Sequence, residues 1–255
     1  MPREPFDLNQ YIMSHVLDGH EWHLPFLPPI HLPSFLSLHG VMLILCSAIL
    51  LLLFTVIYQK TAKVPTGITN CLEVLVLFIR DQIAIPYLGK EDGIKMTPFL
   101  CTLAFFILGL NLLGAIPIFA TATANINVTG GLAIITLSFM VLGAIKKNGL
   151  PGFLKALTPS GVPFVILILI VPLEFMGLFI RSFALMIRLF ANMFAGHIVV
   201  LALLGLVVVL GYVALPAVAL AVCISIFEIG IAFLQAYIFT LLSTIFIGLM
   251  YHPQH

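Results

Sequence analysis

Two arginines, Arg181 and Arg188, stand inside a run that is otherwise apolar from Phe164 to Leu210, accompanied by Glu174, Asn192 and His197. Farther on, Glu228 and Gln235 interrupt a second apolar stretch. Arginine stays protonated at any accessible pH and is costly at the centre of a bilayer, so it needs a carboxylate partner or a water-filled cavity. The chemistry this points to is an ion pathway or a substrate counter-ion. The plainer alternative is an arginine that snorkels to the membrane surface. An isolated glutamate has the same difficulty: burial disfavours its ionised form, whereas histidine titrates near neutrality. His197 and Glu228 would exchange protons if brought together, or would form a static ion pair that sets helix register. Arg188 cannot usefully exchange protons. Its role would be electrostatic, forcing a passing carboxylic acid to ionise and repelling cations that try to cross directly.

Helical geometry sorts these residues. At 100° per residue, Glu174, Arg181 and Arg188 recur every seven positions and share one stripe, which Asn192 joins. His197 falls about 180° round from Arg188. Glu228 and Gln235, again seven apart, form a stripe of their own.

The elements that must carry these residues are membrane helices. The chain is 62% hydrophobic and 8% charged, against about 25% charged in soluble domains. Its mean hydropathy is +1.20. The apolar runs are continuous rather than alternating, which excludes a barrel in favour of an all-α integral membrane protein. A net charge of +1 offers no basic face for nucleic acid. Cys46, Cys71, Cys101 and Cys223 share no CxxC spacing, so buried thiols are expected rather than a disulfide framework or a zinc site. The first twenty residues contain Arg3, Glu4, Asp7 and Asp18 and no continuous apolar core, which speaks against a signal or transit peptide.

Residues 1–37 form a polar, then proline-rich N-terminal segment. Its His15, His20, His23 and His31 lack an accompanying ligand cluster, so no metal is expected. A membrane domain over 38–250 follows, with spans at about 38–58, 98–116 and 128–145 and a short tail at 251–255. Asn70 and Glu73 have the spacing of a capping box opening an interfacial helix that reaches about Ile85. Lys146, Lys147 and Lys155 mark a loop. Lys60, Lys63, Arg80, Lys90, Lys95, Lys146, Lys147 and Lys155 all fall on one side, which places the N-terminus outside and the C-terminus in the cytoplasm. The stretches 164–210 and 217–250 are each too long to stand upright in a 30 Å core, so they predict two steeply tilted antiparallel helices joined at Gly211–Pro216. Pro172 is a possible kink.

With Arg188-Leu-Phe-Ala-Asn192-Met-Phe-Ala-Gly-His197, Glu228 and Leu234-Gln235-Ala-Tyr-Ile-Phe239 assembled, the chain resembles subunit a of rotary F-type ATP synthases. Pro65-Thr-Gly-Ile-Thr-Asn70, Asn125-Ile-Asn-Val-Thr129 and the order of spans extend the likeness over roughly residues 38–250. The resemblance implies a proton-translocating stator whose tilted hairpin faces a rotor ring of c subunits, each with a membrane-buried carboxylate. It also implies b-type peripheral stalk subunits and the remaining synthase subunits as partners. Two offset half-channels would lead to the ring, separated by Arg188. Asn192, His197, Glu228 and Gln235 match positions of the outer half-channel, and Glu174 resembles a member of the inner one. Some relatives exchange the acid and the imidazole between the positions of His197 and Glu228, so which of the two titrates is left open. Some also carry an acid where Asn125 stands. The chain has no GxxxxGK[ST] loop, so it would be a non-catalytic subunit without cofactor, with ATP made on partner chains. Whether H⁺ or Na⁺ is carried depends mostly on the ring. A bacterial inner membrane is the expected location. The competing class is a proton- or sodium-coupled secondary transporter, which would show internal repeats and helices broken at mid-membrane.

Overall fold

The computed structural model describes residues 19, 21–22, 30–33, 37–57, 67–116, 119–158 and 163–252. Two short strands, β1 (Glu21–Trp22) and β2 (Ile30–His31), pair antiparallel with Glu21 opposite His31. The remaining regular structure among the described residues is helical. His15, His20 and His23 lie outside the described residues.

Helix α1 (Leu38–Leu52) opens on Ser37, whose Oγ accepts the Gly40 N–H at 3.2 Å, an N-cap bond. It runs on into a π turn at Leu53–Ile57. Helix α2 (Ile68–Phe78) does not use the expected capping box, because it starts two residues before Asn70. Gly67, at φ 61°, supplies a backbone conformation that L side chains rarely adopt and needs no side-chain cap. A π turn (Ile79–Ala84) and the short α3 (Ile85–Leu88) continue it. In that turn Arg80 donates to both carboxylate oxygens of Asp81, at 2.7 and 3.0 Å, and holds this carboxyl below its ordinary pKa.

Helix α4 (Lys90–Gly114) begins ahead of the apolar run that starts at Pro98, because Glu91 and Asp92 suit the positive end of a helix. Pro98 lies within it, flanked by Thr97 and Thr102, which donate their hydroxyls to the Gly93 and Pro98 carbonyls at 2.7 and 2.8 Å. Helix α5 (Ile126–Ser138), a π turn (Phe139–Gly143) and α6 (Ala144–Ala156) run in succession. Lys146 and Lys147 lie before, and Lys155 after, a kink at Gly149 (φ 71°) where two helical pieces of α6 meet, so the expected loop is reduced to a break between helices.

The last two helices are the longest. Helix α7 (Phe164–Leu210, 47 residues) contains Pro172 without ending there, and α8 (Leu215–Tyr251) has 37 residues. A 3₁₀ turn at Gly211–Ala214, opened by Gly211 at φ 58°, separates them. At 1.5 Å per residue they measure about 70 and 55 Å. Five helical stretches are long and apolar enough to cross a bilayer, at Leu38–Val56, Lys90–Gly114, Ile126–Ala156, Ile166–Val207 and Leu215–Tyr251. The protein is an all-α membrane protein.

The chain divides into two compact units. The first comprises Met1–Leu51, Phe106–Val128 and Leu189–Gln235. Its core holds Met42, Cys46, Leu110 and Ala122, with Phe106, Leu113 and Phe119 packed around them. The Cys46 thiol donates to the Phe106 carbonyl, and a Cβ on Gly109 would lie 2.7 Å from that sulfur. The second comprises Leu52–Phe105, Thr129–Arg188 and Ala236–His255. There Phe99 stacks on Phe139 at 3.9 Å, and Thr136 and Ser243 hydroxyls meet at 3.3 Å. His252 follows the last helix, and its Nε2–H donates to the Leu88 carbonyl at 2.8 Å. Cys71 and Cys223 are exposed, contrary to the expectation of buried thiols, whereas Cys46 and Cys101 are buried. An apolar exterior needs no protein cover where lipid supplies it.

Candidate functional site

The first unit gathers most of the polar residues singled out by sequence. Helix α8 places Glu228 and Gln235 on its buried face, at 6% and 2% exposure. Gln235 Oε1 accepts a hydrogen bond from Asn192 Nδ2 on α7 at 3.3 Å. One turn beyond Asn192, α7 presents Gly196, and Glu228 packs so closely there that a Cβ would lie 2.5 Å from its Oε1. Oε1 of Glu228 and Nε2 of Gln235 are buried without a hydrogen-bond partner among the described residues. Buried polar atoms of this kind are seldom left dry, and small gaps between them are where ordered water resides.

His197, next to Gly196, has its Nδ1 3.3 Å from Thr121 Oγ1. That hydroxyl donates to the Gly114 carbonyl, also at 3.3 Å. With its proton so used, Thr121 offers a lone pair to a protonated Nδ1. Thr121 lies in the buried stretch Thr121–Ala124, the charge-free loop of the sequence. The next residue, Asn125, opens α5 as its cap, because Oδ1 accepts the Asn127 N–H at 2.9 Å. That bond fixes which end of the amide is Nδ2, and Nδ2 donates to His39 Nδ1 at 3.0 Å. His39 thereby holds a proton on Nε2, at 4% exposure.

Sequence reasoning did not single out His39, Thr121 or the role of Gly196. The available signals were two threonines in a loop of alanines and a histidine at the start of an apolar helix. Asn111, noted only as an interruption of its span, is fully buried, and neither amide atom has a partner among the described residues.

The second unit holds Glu174, Arg181 and Arg188 on α7. The stripe reading brings the first two together, with Arg181 Nη2 3.4 Å from Glu174 Oε2. The Arg181 guanidinium also lies 5.8 Å from the centre of the Phe246 ring, a cation–π contact. Arg188 differs. It is exposed and forms no ion pair or hydrogen bond among the described residues.

The family described as ATP synthase A chain matches residues 40–248. The chain belongs to this family. It is 46% identical to ATP synthase subunit a of Chloroherpeton thalassium, over 95% of this chain and 77% of that protein. It is 42% identical to the subunit of Myxococcus xanthus, over 92% of this chain and 85% of that one. Against ATP synthase subunit a of Anaeromyxobacter dehalogenans strain 2CP-C the identity is 47% over 82% of this chain. The chain spans just over half that relative's length, 56%. Family membership sets aside the secondary transporter.

Proposed function

We propose that the chain is the ion-translocating stator of a rotary ATP synthase, lying against a ring of c subunits whose buried carboxylates it loads and unloads. The reading is carried by the guanidinium of Arg188. A cation that stays charged, on an apolar helix and without a counter-charge among the described residues, has its natural partner in a carboxylate brought by another chain. When a protonated carboxyl of the ring arrives, Arg188 favours its ionised form and the proton leaves. The same charge repels protons that would otherwise cross directly.

Asn192, His197, Glu228 and Gln235 serve the outer half-channel in this scheme. The unpartnered atoms of Glu228 and Gln235 are consistent with a water-fed proton path. Glu174 belongs to the inner half-channel, and its pairing with Arg181 sets its orientation. The two longest helices, at about 70 and 55 Å, lie obliquely to fit a hydrocarbon core of about 30 Å. The lysine-bearing side faces the cytoplasm of a bacterium, with the N-terminus outside, and b-type stalk subunits hold the chain against the ring. Protons are the proposed cargo. One charge crossing 100 mV yields about 2.3 kcal/mol, so several transfers are pooled per ATP, which a ring achieves by turning.

The test uses inverted membrane vesicles carrying Arg188→Ala. ATP-driven proton pumping and respiration-driven ATP synthesis are expected to disappear, with passive proton conduction through the membrane sector retained or raised. Normal pumping and synthesis would make Arg188 structural and overturn the mechanism.

A further inference from the structure

The second unit contains a cavity of about 570 Å³ whose lining includes Asp92, Lys95, Phe139, Leu142, Lys146 and Lys147. Its volume falls in the range of small-molecule sites, about 300–1,000 Å³. The charges lining it are unbalanced. Lys147 is bound to Asp92, which His252 also approaches at 3.3 Å. Lys95 and Lys146 have no ion-pair partner among the described residues. Three ammonium groups thus face one carboxylate. Met96, Phe139 and Leu142 form an apolar wall, and Leu142 is 65% exposed. The lysines come from the first turns of α4 and from α6, where apolar helix gives way to charge. Gly143 keeps room for the Tyr251 ring, because any Cβ there would collide with the phenol.

We infer that this cavity binds the headgroup of an anionic phospholipid. A phosphodiester seated between Lys95 and Lys146 supplies the missing negative charge, and its acyl chains continue over Leu142 and Phe139 into the hydrocarbon. A basic pocket between helices at the membrane surface, with an apolar wall below it, suits a ligand that is itself charged at one end and apolar at the other. A free phosphate would satisfy the lysines and leave the wall uncovered. The inference stands on the membrane fold and does not depend on the role of Arg188.

The test is native mass spectrometry of the full chain after equilibration with nanodiscs containing equal phosphatidylglycerol and phosphatidylcholine. Retention of phosphatidylglycerol in clear excess is expected. Each lysine near an anionic surface contributes roughly fivefold, so K95Q/K146Q is expected to lose about 25-fold in that preference. K95R/K146R, which keeps both charges, should hold most of it, and Lys155→Gln, outside the cavity, should hold all of it. Circular dichroism verifies that each variant is folded. Equal retention of the two lipids, or an unchanged preference in folded K95Q/K146Q, would overturn the site. Displacement of the lipid by millimolar inorganic phosphate would reassign it to a free anion and overturn the lipid reading; persistence of the lipid under phosphate supports it.

Discussion

Arg181 and Arg188 are two turns apart on one helix, in equally apolar sequence, and the fold treats them differently. Arg181 meets Glu174 and lies over Phe246, so its charge is answered within the chain. Arg188 is exposed and unanswered among the described residues. The first arrangement consumes an ionic group in holding structure together. The second leaves a charge available to a partner. An arginine in a membrane helix is therefore not informative by itself; what it touches decides whether it is structural or functional.

That contrast is broken most severely by Arg188→Ala, for which a loss of at least about 100-fold in coupled pumping is expected, since removing one electrostatic group at a reacting centre costs that much. Pumping above a tenth of normal would put Arg188 in the same class as Arg181. Glu228→Gln should come next. It keeps the shape packed on Gly196 but removes the exchangeable proton, and a drop in pumping of about tenfold to 100-fold is expected, the lower end of a general acid–base contribution. Unchanged pumping at every pH would leave Glu228 a packing residue. Gly196→Ala follows, because a Cβ 2.5 Å from Glu228 Oε1 forces that carboxylate to move. A loss of several-fold is expected, with assembly judged intact by copurification of the complex.

The smallest effect is expected on the Arg181 side. If the proposed inner half-channel brings water to it, the Arg181–Glu174 pair, with side chains 28% and 43% exposed, is worth about 0–1 kcal/mol. A double-mutant cycle of Arg181→Ala and Glu174→Ala, read by thermal unfolding of the purified chain, should give a coupling in that range. A coupling above about 3 kcal/mol would mean that this pair, too, is buried against something.

The sequence made the long helices legible because composition alone determines them. From Phe164 to Leu210 no residue combination breaks a helix, and Pro172 is tolerated inside a bilayer-length element. Helix ends were less legible. The start at Lys90 is hidden by charges that favour a first turn as much as they favour a loop, and Gly67 replaced the Asn70 cap through backbone freedom that no spacing rule records. The stripe containing Glu174 and Arg181 could be read from periodicity, since both lie on one helix. Asn192 with Gln235, and Glu228 against Gly196, required knowledge of how two helices align. His39, Thr121 and Asn125 are still harder to read together, because their hydrogen bonds join residues from 76 to 86 positions distant.

The distribution of thiols has a practical consequence. Cys71 and Cys223 face outward and Cys46 and Cys101 do not, so the unaltered chain already carries two chemical depth gauges and two silent controls. Only a thiolate reacts with maleimide, and thiolates form in water rather than in hydrocarbon. A membrane-impermeant maleimide should therefore mark Cys71, on the helix expected at the interface, and spare Cys223 within α8. Adding the reagent to one side of sealed vesicles at a time would then reveal which way the chain is inserted.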